Sequence, residues 1–194
     1  MLDLVFVGGE VIDGTGRPGI RADLGVRDGR IAAIGDLSGV ECRERVDARG
    51  KVVCPGFIDM HTHSDLTLLV NPRAESMVHQ GVTTLVVGNC GMGVAPVRPE
   101  LRGPLRQAFA FLTGDVEWTW ESFASYLDCL AAARPSVNVG ALVSHGAARA
   151  HVMGFDEREA SPEERSAITA TIRQAMDEGA LGVSTGLIYN PSMF

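Results

Sequence analysis

Three near-continuous apolar runs constrain this chain more than any other feature: Val82-Thr83-Thr84-Leu85-Val86-Val87, Val137-Asn138-Val139-Gly140-Ala141-Leu142-Val143 and Ala180-Leu181-Gly182-Val183-Ser184-Thr185. A strand wetted on one side alternates apolar and polar residues, whereas one covered on both faces does not. Helical patterns lie between the runs. Asn71 reads as an N-cap with Pro72 in the first turn, leading through Ala74, Met77 and Val78. A second helix starts at about Thr119 and sets Phe123, Leu127 and Leu130 on one face. The third opens on Ser161-Pro162-Glu163-Glu164, a capping box with proline at N1, and carries Ile168, Ile172 and Ala175/Met176 before Gly179 stops it. Successive β-α units with right-handed crossovers make a parallel sheet, either a barrel of eight units or an open doubly wound sheet.

Residues 1 to about 53 read differently. Leu4 to Val7, Leu24 to Val26 and Ile31 to Ile34 are short β runs between glycine turns, and Asp28-Gly29 is a strong hairpin signal. The expectation is an antiparallel sheet. With 17 basic residues scattered singly among 24 acidic ones, a formal charge of −7 leaves no nucleic-acid footprint. The start, Met1-Leu2-Asp3-Leu4-Val5, shows no basic leader, and no stretch approaches the roughly 20 apolar residues of a membrane span, so the expectation is a cytoplasmic protein that does not engage membranes. Cys42, Cys54, Cys90 and Cys129 lie far apart without a Cys-x-x-Cys pair, which points to neither a zinc knuckle nor a disulfide framework.

Parallel sheets place their active sites at the carboxyl ends of the strands. A run from Val52 to Met60 ends at His61 and His63, whose i, i+2 spacing turns both imidazoles to one side. Neutral imidazoles there can chelate Zn²⁺, Fe²⁺ or Mn²⁺, with Asp65 as a further ligand or an orienter. The position directly after Pro55-Gly56-Phe57-Ile58-Asp59 favours this over a pair of incidental exposed histidines. The next run ends in Gly88-Asn89-Cys90-Gly91, and a thiolate beside two imidazoles is a good soft ligand, although a lone cysteine after a strand is more often inert. Ser144-His145-Gly146 closes the third run, leaving His145 as an orienter, a substrate contact or a structural histidine. The hydroxyls of Ser184, Thr185 and Tyr189 can orient a polar substrate or cap a loop. His79, near a helix end, and His151, in a loop after Arg149-Ala150, read as structural, and Trp118 and Trp120 as core.

Taken in order, these residues resemble the amidohydrolase superfamily, and within it the D-aminoacylase, or N-acyl-D-amino-acid deacylase, family. The general features are Val11-Ile12-Asp13-Gly14, Val26-Arg27-Asp28-Gly29-Arg30-Ile31 and Val53 through His63; the narrower ones are Gln80-Gly81-Val82-Thr83-Thr84, Gly88-Asn89-Cys90-Gly91, Val152-Met153-Gly154 and Ser184-Thr185-Gly186-Leu187. The resemblance implies a (β/α)₈ metal-dependent hydrolase barrel beside a small β-sandwich domain. Residues 1-53 would form the N-terminal part of the small domain, and residues 54-194 the first four β/α units. It implies one or two zinc ions, with His61, His63 and Cys90 as metal ligands and His145 and Tyr189 as substrate contacts.

The implied reaction is hydrolysis of a small-molecule N-acyl-D-amino acid to a carboxylate and a D-amino acid. The family's general-base aspartate and further histidine ligands would lie beyond Phe194, and Pro191-Ser192 stands where the family continues Pro-Gly. Half a barrel leaves an open sheet edge suited to self-association, and the 194 residues alone are expected to be inactive. Two other readings compete: hydrolysis of a cyclic amide, as in hydantoinases and dihydropyrimidinases, which Cys90 argues against, and a non-catalytic fragment binding a metal or a partner.

Overall fold

The computed structural model describes residues 1–108, 110, 116–188 and 190–193. The chain divides into two units, Met1–Gly56 and Phe57–Phe194.

The first unit is a five-stranded sheet of β1 (Leu2–Val11), β2 (Ile20–Arg27), β3 (Arg30–Gly35), β4 (Cys42–Asp47) and β5 (Val52–Val53), in the order β3-β2-β1-β4 with β5 also on β1. The hairpin between β2 and β3 turns on Asp28 and Gly29, at φ 51° and 69°, as a type I′ turn requires. The sheet is not purely antiparallel, however: β4 and β5 both pair with β1 in parallel. Alternation marks which face a residue occupies and is blind to strand direction, so only the hairpin could be oriented from the sequence. A bulge at Gly8 (φ 69°) interrupts β1, where the Asp23 carboxylate accepts the Gly8 N–H at 2.8 Å and the Leu37 N–H at 3.0 Å.

The second unit is built on parallel strands. β6 (Phe57–Asp59), β7 (Val82–Val87) and β8 (Asn138–Ala141) form one sheet in chain order; β9 (Val143–Ser144) continues the line of β8 after Leu142 and pairs with β10 (Val183–Ser184). The apolar run from Val52 is therefore two strands, because Cys54-Pro55-Gly56 breaks it and hands β5 to the first unit and β6 to the second. Val82–Val87 and the 137–143 run form strands as expected, while only two residues of the 180–185 run do.

Among the described residues the α-helices are α1 (Thr67–Val70), α2 (Glu75–Val78), α3 (Arg102–Ala108), α4 (Phe123–Ala133), α5 (His145–Met153) and α6 (Pro162–Asp177), with a 3₁₀ turn at Pro99–Leu101 leading into α3. Asn71 caps the end of α1 instead of opening a helix; φ −126° and ψ 76° suit a residue before proline, and α2 begins only after Ala74. Ser122, not Thr119, is the N-cap of α4, in a capping box with Ser125. The Ser161–Glu164 capping box of α6 forms as read. His151 belongs to α5 and not to a loop. His79 caps the end of α2. Among the described residues no helix is long and apolar enough to cross a membrane.

Leu85, Val87, Val94, Val97, Leu105, Phe123, Tyr126 and Leu130 fill the core of the second unit together with Trp118 and Trp120. The indoles stack at 5.3 Å, Trp120 lies 5.4 Å from the Tyr126 ring, and its Nε1–H donates to the Val94 carbonyl at 2.7 Å. Truncating Trp120 removes a buried ring and strands that carbonyl. Trp120→Ala should lower unfolding stability by about 3–5 kcal/mol in a denaturant titration followed by circular dichroism; a loss below about 1 kcal/mol would contradict this account of the core.

Candidate metal centre

Parallel pairing of β6 with β7 matches Ile58 to Thr84 and Asp59 to Leu85, and the Thr62 N–H continues the ladder to the Val86 carbonyl at 3.3 Å. Both strands therefore run out side by side. His61 and His63 leave the end of β6, Cys90 the end of β7, and their donor atoms all lie within 4.8 Å of one another. His61 Nε2 stands 3.0 Å from Cys90 Sγ, and the two imidazoles meet edge to face with centroids 5.6 Å apart. Among the described residues this is the one cluster of three or more histidine, cysteine or carboxylate donors with such a spacing. Burial, and after it the neighbouring His61, lowers the pKa of His63 and favours the neutral imidazole that a metal requires.

Several contacts knit the two strand ends together. The Asn89 amide donates to the Thr62 carbonyl at 3.3 Å and to the Val86 carbonyl at 2.8 Å, tying the histidine segment to the cysteine turn. Gly88, Cys90 and Gly91 are all left-handed, at φ 79°, 57° and 70°. Glycine is needed at position 91 on two counts, since a Cβ there would meet the Gly186 nitrogen at 2.6 Å. The Gly146 N–H donates to the Gly91 carbonyl at 3.1 Å, and the Ser184 hydroxyl accepts the Gly91 N–H at 3.0 Å while donating to the Gly88 carbonyl.

Asp65 lies outside the donor cluster. It is 1% exposed, and burial raises its carboxyl pKa to about 7 against the opposing pull of the Asp65 and Gly88 N–H groups. Tyr126 donates from its hydroxyl to the Asp65 carbonyl oxygen at 3.0 Å, anchoring this segment to α4.

His145 also lies apart from the three donors. As the first residue of α5, whose N-cap Ser144 accepts the Ala147 N–H at 3.1 Å, it lines an open cleft of about 520 Å³ with Arg149, Glu159, Arg165, Ile168 and Ile172. Burial and then Arg149 lower its pKa. Tyr189 falls outside the described residues. Cys42, Cys54 and Cys129 are free thiols, as is Cys90. Sequence reasoning missed Asn89 and Ser184 as the groups that hold the cysteine turn. For Asn89 a signal existed, an Asx residue amid glycines at a strand end; for Ser184, 93 residues from Gly91, there was none.

Two imidazoles and a thiol so spaced suit a cation that accepts mixed nitrogen and sulfur ligands, zinc above all. Comparison with known proteins agrees on the family. The chain is 46% identical to the D-aminoacylase of Alcaligenes xylosoxydans xylosoxydans over 191 residues, 98% of this chain and 39% of that protein. It is likewise 46% identical to that organism's N-acyl-D-glutamate deacylase over 190 residues, 98% of this chain and 38% of the relative. A crystal structure of N-acyl-D-glutamate deacylase from Bordetella bronchiseptica, in complex with zinc and a phosphonate mimic of the tetrahedral intermediate, superposes with a TM-score of 0.90 at 43% identity, covering 99% of this chain and 40% of that one. The chain thus spans about two fifths of the length of the relatives it matches. The profile of the amidohydrolase family matches residues 44–194, and the chain belongs to that family.

Proposed function

We propose that this chain carries the N-terminal share of a zinc-dependent deacylase that hydrolyses N-acyl-D-amino acids to a carboxylate and a D-amino acid. The observation that carries this reading is the convergence of His61, His63 and Cys90 at the ends of two adjacent parallel strands. The donors fit zinc by chemistry as well as spacing: one thiol and two imidazoles, of which His63 is biased to its neutral form. Zinc, when bound, supplies Lewis acidity to an amide carbonyl and lowers the pKa of water. The protein's part is to hold the donors. Asn89 fixes the distance between the two strand ends, and Asp65 braces the histidine segment from the buried side.

On this reading the parallel strands of the second unit are the first half of a (β/α)₈ barrel, and the sheet of the first unit is part of a β-sandwich. Exposed apolar residues on the strands and beside them support this, with Ile58 at 59%, Met60 at 64%, Leu181 at 66% and Val183 at 50%; further units would cover them. His145 and Tyr189 are assigned to substrate binding. Linear amides are favoured over cyclic ones because the relatives at 42–46% identity are named D-aminoacylase, N-acyl-D-glutamate deacylase and N-acyl-D-aspartate deacylase.

Two outcomes are expected. In equilibrium dialysis with zinc, Cys90→Ala should weaken binding about 100-fold or more, while His145→Ala should bind as the parent does; equal loss in both variants would break the assignment. The zinc-loaded 194-residue chain should release D-amino acid from N-acetyl-D-amino acids near the background rate, since it spans only about two fifths of the length of the deacylases it resembles. Turnover of about 1 s⁻¹ or faster, measured by amine release, would show that the chain is sufficient by itself.

A further inference from the structure

Cys90 adopts a left-handed backbone conformation that is unfavourable for a non-glycine residue, and such conformations persist only where their surroundings enforce them. Its φ is 57°, between Gly88 at 79° and Gly91 at 70°. A turn that contains two glycines has many accessible shapes, and something must select this one. Within the turn itself, Asn89 reaches back to Thr62 and Val86 and so fixes its entry. The exit is fixed from elsewhere.

A single side chain spans the turn from entry to exit. The Ser184 hydroxyl, on the carboxyl end of β10, donates to the carbonyl of Gly88 and accepts the N–H of Gly91 at 3.0 Å. Those two groups flank Asn89 and Cys90. Ser184 is 9% exposed, and its strand is held in place by parallel pairing of Ser184 with Ser144 and by the Val143 N–H, which donates to the Gly182 carbonyl at 3.0 Å. The hydroxyl has one proton, and that proton is committed to Gly88, so it is not available to donate to a substrate.

Resting on the metal-centre reading above, we infer that Ser184 is a positioning residue for the metal thiolate: its hydroxyl pins both ends of the Gly88–Gly91 turn and thereby aims Cys90 at the two imidazoles. It touches neither metal nor substrate. Losing it leaves the Gly88 carbonyl and the Gly91 N–H unpaired in a buried place and frees the turn to move its thiol away from His61, now 3.0 Å distant.

The test is a cobalt(II) titration of the 194-residue chain, read by the thiolate-to-cobalt charge-transfer absorption, alongside thermal melting of the metal-free protein. The parent should show the band and Cys90→Ala should lack it. Ser184→Ala should bind cobalt about 10-fold to 100-fold more weakly, as losses of groups that orient ligands do, with a diminished band at saturation. Ser184→Thr and Ser184→Val match each other in volume and differ in the hydroxyl, so they carry the test even if the alanine variant fails to fold: the threonine variant should bind at least several-fold more tightly than the valine one. Equal affinity and equal band intensity in that pair, or a lower melting temperature in Ser184→Ala with unchanged cobalt affinity, would overturn the inference and leave the metal centre standing. A parent chain with no thiolate band would instead remove the metal-centre reading, and this inference with it.

Discussion

Parallel pairing between β6 and β7 is the constraint on which the site depends. Three residues of β6 align with the start and middle of a six-residue β7, and the ladder continues past the end of β6 through the Thr62 N–H to Val86. A parallel register makes both strands finish at the same edge, so residues 29 apart in sequence arrive within 3.0 Å of each other. An antiparallel pairing of the same segments would send the histidines and the cysteine to opposite ends. β7 in turn is fixed by its buried residues Leu85, Val86 and Val87 and by its pairing with β8. The chemistry of the site is thus inherited from packing in the core of the second unit.

That His61, His63 and Cys90 reach one edge was legible in the sequence from local rules, although the ligand role expected of Cys90 came from the family resemblance. An apolar run reports a strand, a strand's end reports the functional edge, and i, i+2 spacing reports a shared side. Helix α6 was legible for the same reason, since its cap, stripe and stop all lie within 19 residues of one another, Ser161 to Gly179. Trouble began where two local signals competed. Asn71-Pro72 satisfies the pattern of a helix start, yet the conformational demand of the following proline made Asn71 the end of α1. Ser144-His145-Gly146 was read as a strand's end and is also the start of α5, with Ser144 ending β9 and capping the helix at once. That double use hid α5 and put His151 in a loop.

Other features were illegible in principle. The direction in which β4 and β5 pair with β1 depends on how the chain crosses, and alternation carries no sign of it. The contacts of Asp65 show the same limit: an acid two residues after a His-x-His pair invites a role as ligand, while its burial and its Gly88 contact follow from the tertiary arrangement of both segments. Ser184 belongs with these. A serine near a strand's end has many uses, and only the position of a turn about ninety residues earlier selects among them.

The span of that last contact bears on how the chain acquires its structure. During synthesis the three donors emerge together, whereas the hydroxyl that closes the cysteine turn follows some ninety residues later, after α4, α5 and α6. A nascent chain ending before β10 holds all the atoms of the donor cluster but lacks one of the restraints on its geometry. Contacts of such long separation form late and slowly, because the intervening loop must be ordered first. On the role inferred for Ser184, the donors are made before the last restraint on their alignment.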